Sequence, residues 1–406
     1  MSRLPMADTR LTPLNVGVVP SDWKIVSLKS LATSIRNGFV GVSLPHQTNQ
    51  GGVRYLQGFN IRPNKIELIN ETFVTVEFAD KQVKARLRAN DLLTVQSGHI
   101  GTTALVPAEL EGASCHALII TTLKPKLADP RFIVTYMNSH IGQARMRGLH
   151  VGSSIPHINT SELADYRVPL PPQSEQNRIA DILCTWNEAL EKLNALITAK
   201  ERYYMAILES ALKRYADTDC KVHDVTHETG PRNRAKMIAR VLSVTNSQGF
   251  VLPENYFDKQ VASSDTTGYK IVRRGEYAYN PSRINVGSIA RLETWDEGVV
   301  SPIYVVFGLN ERIEADYFHH WLNSHEARSR IRRSAQGSVR DSVNFADFGS
   351  IRLPLPKREQ QKAIVDCLNT AQSEIRLLQK QHDALGQQQR GLMQQLLTGT
   401  IRVKIA

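Results

Sequence analysis

Long apolar runs are missing from this 406-residue chain. No stretch approaches the roughly 18–20 apolar residues that a membrane-spanning helix requires, so we expect no membrane contact. The opening residues, MSRLPMADTR, hold no apolar core of the kind a secretory signal needs. Cysteine is scarce as well. Cys115, Cys184, Cys220 and Cys367 are scattered, with no Cys-x-x-Cys pair. Four isolated thiols fit a reducing cytoplasm better than a disulfide framework or a zinc site.

The chemistry of catalysis is equally absent. No Gly-x-x-x-x-Gly-Lys-Ser/Thr loop is present to cradle a phosphate. No glycine-rich turn follows a strand in the manner of a cofactor-binding doubly wound fold. His319 and His320 are adjacent, so on a helix they point apart and cannot grip one metal. His140 and His325 recur at equivalent helical positions, which favours a shared packing role. Residues 277–289 read YAYNPSRINVGSI, and Asn280-Pro281 invites comparison with the turn that holds a flipped base in amino-methyltransferases. That turn needs a second proline and an aromatic ring to stack on the extruded base, and here Ser282-Arg283 follow. We therefore assign no catalytic residue, no metal ligand and no cofactor, and expect a binding protein.

Positive charge is what the chain has in excess. Fifty Lys and Arg against 39 Asp and Glu leave a net charge of +11, a balance that suits a polyanionic partner through steering and counterion release. Hydrophobic residues at 41% and charged residues at 22% are ordinary for a globular chain, so large-scale disorder is not expected.

The chain also repeats itself. VPLPPQSEQNRIADIL (168–183) returns as LPLPKREQQKAIVDCL (353–368), with identity at Pro169/Pro354, Leu170/Leu355, Pro171/Pro356, Gln176/Gln361, Ile179/Ile364, Asp181/Asp366 and Leu183/Leu368. The same offset pairs YMNSH (136–140) with WLNSH (321–325), Gly152-Ser153 with Gly337-Ser338, and Asn159 with Asn344. Two copies of one unit are implied, each an irregular globular part followed by a long helix.

Those helices are read from period. Ile179, Leu183, Trp186, Leu190, Leu193 and Ile197 follow a 4-3-4-3-4 spacing that continues through Tyr204, Ile207 and Ala211. Ile364, Leu368, Ala371, Ile375, Leu378, Leu385, Leu392 and Leu396 form the second seam. Lys200, His382 and Gln389 interrupt the pattern. Seams this narrow belong to coiled coils, and packing one on the other, antiparallel, is the economical arrangement. In the globular parts, 54–61, 91–98 and 117–125 read as short strands, while 130–147 and 315–333 read as amphipathic helices. The fold class expected is mixed α/β.

With these motifs in place, the chain resembles the DNA-specificity subunit of type I restriction–modification enzymes. PLPPQSEQNRIADIL resembles that family's first conserved helix, and PLPKREQQKAIVDCL with the terminal LMQQLLTGTIRVKI resembles the second. The resemblance implies two target-recognition domains, 1–167 and 217–352, separated by helical conserved regions at 168–216 and 353–406. It implies a non-catalytic subunit that binds double-stranded DNA, two modification (methyltransferase) subunits and restriction (motor and nuclease) subunits. It also implies partner contacts at Glu175 and Gln176, and at Glu359 and Gln360. The second copy departs from the first here, because the acid is shifted by one position.

Base reading calls for Arg, Asn, Gln, Ser and His, and phosphate contact for Arg and Lys. In the first unit these criteria select the loop 36–52 with Arg36, Asn37 and His46, then Gln57, Asn60 and Arg62, and the segment 151–159 with Ser153, His157 and Asn159. In the second they select Arg232, Arg234 and Lys236, then Ser282, Arg283 and Asn285, and the segment 336–344 with Ser338, Arg340 and Asn344. A coiled-coil adaptor that does not touch DNA is the alternative.

Overall fold

The computed structural model describes residues 19–149, 157–256, 265–336 and 342–404. The chain divides into two compact units, Met1–Lys192 with His382–Ala406, and Leu193–Gln381. Both are mixed α/β, and each takes in a stretch of both long helices.

Unit 1 is built on a four-stranded antiparallel sheet. Its elements are β1 (Lys24–Ser27), β2 (Ala32–Asn37), β3 (Leu92–Val95), β4 (Thr103–Leu105) and β5 (Leu118–Leu123). The sheet order is β2-β5-β3-β4. Because successive strand residues face opposite sides, the apolar runs of β3 and β5 feed two cores. Leu92, Ile119 and Leu123 join a cluster with Phe132 and Ile133, whereas Leu93, Ile120 and Val95 join one with Leu56, Ile61 and Leu87. Helices α1 (Pro130–Asn138), α2 (His140–Leu149) and α3 (Thr160–Ala164) follow, then β6 (Arg167–Leu170), which pairs with β1. The chain then enters α4 (Gln173–Arg214).

Unit 2 repeats this plan with β7 (Asp219–Lys221), β8 (Thr226–Glu228), β9 (Tyr277–Tyr279), β10 (Ile289–Arg291) and β11 (Val305–Leu309). The order β8-β11-β9-β10 matches that of unit 1. Helices α5 (Ala315–Asn323), α6 (His325–Gln336) and α7 (Phe345–Gly349) precede β12 (Arg352–Pro354), which pairs with β7. The last element is α8 (Arg358–Leu397).

Two expectations are corrected here. Residues 130–147 and 315–333 are not single helices: each breaks at a serine of extended backbone, Ser139 (ψ 159°) and Ser324 (ψ 155°). Ser139 Oγ accepts from Gly142 N at 3.0 Å, and Ser324 Oγ accepts from Ala327 N at 3.1 Å. These are N-caps satisfying a donor that the new helix start would otherwise leave bare. His140 and His325, one residue on, are exposed, so the recurrence of Asn-Ser-His marks a cap and not a packing position.

The long helices each span about 60 Å at 1.5 Å per residue. In unit 1, Ile179 and Leu183 share a core with Leu396 and Leu397, and Gln389 donates to Asn187 Oδ1. In unit 2, Ile197 and Tyr204 share a core with Leu368 and Ile375, and Lys200 Nζ lies 2.7 Å from Glu374. Rising numbers on α4 meet falling numbers on α8, so the stretches run antiparallel within each unit. The seam departs from its expected course near the end of α4. There Leu208 and Leu212 are buried, while Ile207 and Ala211 are only half-buried. No helix among the described residues is long and apolar enough to cross a membrane.

Candidate nucleic-acid interface

The start of each long helix is fixed by a buried glutamine. Gln176 Oε1 accepts from Asp129 N at 2.9 Å, while its Nε2 donates to Pro171 O at 2.9 Å and Leu127 O at 3.3 Å. Gln361 Oε1 accepts from Glu314 N at 2.7 Å, and its Nε2 donates to Pro356 O at 2.8 Å and Arg312 O at 3.1 Å. All four positions in each bracket correspond under the 185-residue offset. The amide supplies one acceptor and two donors in one plane, a combination that among uncharged side chains only asparagine shares, one methylene shorter. Gln176 is 1% exposed. It is therefore an internal brace, and the partner contact expected there is corrected.

The same correction applies to Glu175, which is fully buried. Arg402 grips it with two bonds of 2.7 and 2.8 Å and holds Asp22 with two more of 3.0 and 2.8 Å. Trp23 Nε1 donates to the same carboxylate at 3.2 Å. The Arg402 guanidinium keeps the Asp22 carboxyl below its usual range. In the second copy Gln360 takes this position, accepting from Lys357 N at 3.0 Å to cap α8. Glu359 is exposed.

Of the candidate readers in unit 1, Arg36 is committed internally. Its five N–H groups go to Lys84 O, Ser34, Thr122, Arg86 O and Asp91, the last at 3.1 Å. None remains for a base edge. Asn60 is likewise spent: it is 3% exposed, accepts from Gln57 N and donates to Glu67 O and Ile69 O. Gln57 is half-buried with a 3.3 Å bond to Thr72, and Arg62 pairs with Glu67 at 3.2 Å. Asn37 and His46 are exposed, the latter stacked on Phe78 at 4.3 Å. Asn159 and Asn344 both sit at helix N-caps, of α3 and α7. Their shared position in the repeat is a capping position. Ser153, Ser338 and Arg340 lie outside the described residues.

In unit 2, Arg232, Arg234 and Lys236 are exposed on the loop after β8. Arg232 donates to Gly268 O, and Lys236 lies 3.2 Å from Asp265. Arg240, four residues on and not anticipated, lies over the Trp295 ring at 5.8 Å. Ser282 and Arg283 are exposed, whereas Asn285 is half-buried. Its Oδ1 is buried without a partner.

The fold brings together stretches far apart in sequence. Ile158 N donates to Gln96 O, and Val343 N donates to Pro281 O, both at 3.0 Å. His157 Nδ1 lies 2.8 Å from Ser97 Oγ. The turn after β3 or β9 and the segment before α3 or α7 thus form one edge in each unit. Among the described residues no three His, Cys, Asp or Glu side chains gather as a metal site.

The plan is duplicated, two sheets of one topology each fed into a braced helix, and residues 20–200 match the family model for the type I restriction modification DNA specificity domain. A Methanocaldococcus jannaschii protein assigned as the type I restriction enzyme MjaX specificity subunit is 22% identical over 96% of both chains. The MjaVIII specificity subunit of the same organism is 20% identical over 95% of this chain and 94% of its own. The crystal structure of the S subunit from M. genitalium superposes with a TM-score of 0.58 at 15% identity, covering 97% of this chain and 99% of that one. A structure bearing on assembly and conformational transition of the type I R-M system gives 0.55, again at 15% identity, over 94% and 99%. Over residues 20–200 the chain is thus similar to the type I restriction modification DNA specificity domain, and over nearly its whole length to proteins named as type I restriction enzyme specificity subunits.

Proposed function

We propose that this chain is the non-catalytic DNA-reading subunit of a type I complex acting in the cytoplasm. Residues 1–167 and 217–352 each read one half of a bipartite duplex target. The long helices, within 168–216 and 353–406, set the spacer between the halves and dock two modification subunits. Restriction subunits join that complex, and the methyl group and its donor are handled by the modification subunits. The observation that carries the reading is the repetition of scaffold without repetition of surface. Sheet order, serine caps and glutamine braces recur, while the loop after β2 is uncharged over 38–52 and the loop after β8 carries four cations over 229–242.

The test is an exchange of residues 220–350 for those of a relative, with the methylated sites of the host genome read by sequencing. One half-site should change while the other and the spacer stay. Change in both halves would overturn independent reading, and a chain that assembles with modification subunits without binding duplex DNA would return it to the adaptor class.

A further inference from the structure

The loop after β2 carries no charge at all: residues 38–52 read GFVGVSLPHQTNQGG. Three aliphatic side chains within five residues point into solvent, Val40 65%, Val42 76% and Leu44 72% exposed. This exposure is not slack. Phe39 N donates to Cys115 O and Thr48 N to Phe73 O, at 2.9 and 3.0 Å, and His46 O accepts from Thr75 N at 2.9 Å. Phe39 meets Phe78 edge-on at 4.9 Å while His46 stacks on its ring. Gly38 is pressed so closely on Cys115 that a Cβ there would lie 2.6 Å from the sulfur. The loop's base is anchored, and its apolar residues are held out.

The topological twin of this loop follows β8 in unit 2 and contains Arg232, Arg234, Lys236 and Arg240 without one acid between 229 and 242. Four cations in fourteen residues suit phosphate contact. Twin loops of a two-copy reader face equivalent parts of a two-part duplex, so the unit 1 loop also faces DNA, with apolar groups in place of cations. In a B-form duplex the apolar group presented to a major-groove reader is the thymine 5-methyl.

Resting on the proposed DNA-reading function, we infer that Val40, Val42 and Leu44 form a specificity site that recognises thymine methyl groups in the half-site read by unit 1.

The test uses the chain assembled with its modification subunits and fluorescent duplexes of its mapped target, with each thymine replaced singly by deoxyuridine. That exchange removes one methyl and nothing else. At least one replacement, all in the same half-site, should weaken binding about fourfold, the factor that burying one such carbon contributes. In V42S/L44S, thymine and deoxyuridine duplexes should bind alike at that position, with the melting temperature unchanged because both side chains are exposed. Equal affinity of the wild-type complex for every replaced duplex would overturn the inference, as would discrimination that survives in V42S/L44S, or a half-site without A·T pairs. Loss of assembly in that variant would assign the loop to a protein partner and overturn it too. A wild-type complex that binds no target duplex would strike the underlying DNA-reading function, a result distinguishable from all of these.

Discussion

The starts of α4 and α8 are one design with a single exchange. Gln176 and Gln361 make the same three bonds to corresponding atoms, yet the preceding residue is a buried glutamate in unit 1 and a capping glutamine in unit 2. The cause lies in how the chain reaches each place. In unit 2, α4 runs covalently through residues 215–218 into β7, and Leu355 N donates to Thr218 O at 3.2 Å. In unit 1 the corresponding segment is 400–403, which arrives beside Asp22 and Trp23 without a peptide bond to them. A bidentate ion pair holds by charge what the other copy holds by continuity. What a repeat keeps is thus the geometry of the joint, and its chemistry follows the connectivity.

The sharpest way to break this comparison is Arg402→Ala. It strands a buried carboxylate with only Trp23 as partner, and should cost unit 1 about 3 kcal/mol. Hydrogen exchange should quicken in 20–27 and 173–183 and stay unchanged in 353–368. The double variant R402A/E175Q should recover most of the loss, since no charge is then left buried.

Gln176→Ala and Gln361→Ala come next. Each leaves a buried N–H and two carbonyls without their partner, so about 2 kcal/mol should be lost locally in either unit. Equal losses by hydrogen exchange would sharpen the equivalence, and a large loss in one copy alone would break it.

Smaller, and on the binding side, is Arg234→Ala with Lys236→Ala. Binding of the assembled complex should weaken on all sequences alike, and the salt slope should fall by about two, one per phosphate contact. V42S/L44S should leave that slope where it is.

The smallest effect is one of pH. His320, buried in unit 2, bonds Tyr204 through Nδ1 at 2.7 Å and Asn369 through Nε2 at 2.9 Å, with Asn369 linked on to Asp316 and Arg291. Burial lowers its affinity for a proton. The unfolded chain then binds the proton more readily, so stability is full above about pH 6.5 and falls as pH drops through that value. Unit 1 has Thr135 at the corresponding place. Melting followed by exchange from pH 7 to 5 should show unit 2 loosening first, and H320Q should blunt the difference.

Much of the fold was legible because identity at a fixed offset survives without any knowledge of contacts. The mixed α/β composition, the two helices and most seam positions followed from that offset and from period. The breaks at Ser139 and Ser324 were hidden because apolar spacing continues across them, and a serine cap inside an amphipathic run carries little signal of its own. The site was less legible. Arg36 reads as a loop cation until Asp91, 55 residues away, is placed beside it. Glu175 reads as a surface acid until Arg402 arrives from 227 residues on. Partners so distant leave no mark on local sequence. The exposed aliphatics of 38–52 went unnoticed because composition shows which side chains are apolar and never which of them stay in water.

The Glu175–Arg402 pair also sets an order of events in synthesis. Unit 2 is one continuous stretch, 193–381, and all its core is available once that stretch has emerged. Unit 1 is begun first, yet its core includes Leu396 and Leu397, and its buried carboxylate waits for Arg402. At the roughly 5–20 residues per second typical of translation, that wait is about ten to forty-five seconds. Through it Ile179, Leu183 and Glu175 stand without their α8 cover, a period of exposure to chaperones and proteases that unit 2 escapes. The half of the chain made first is the half finished last.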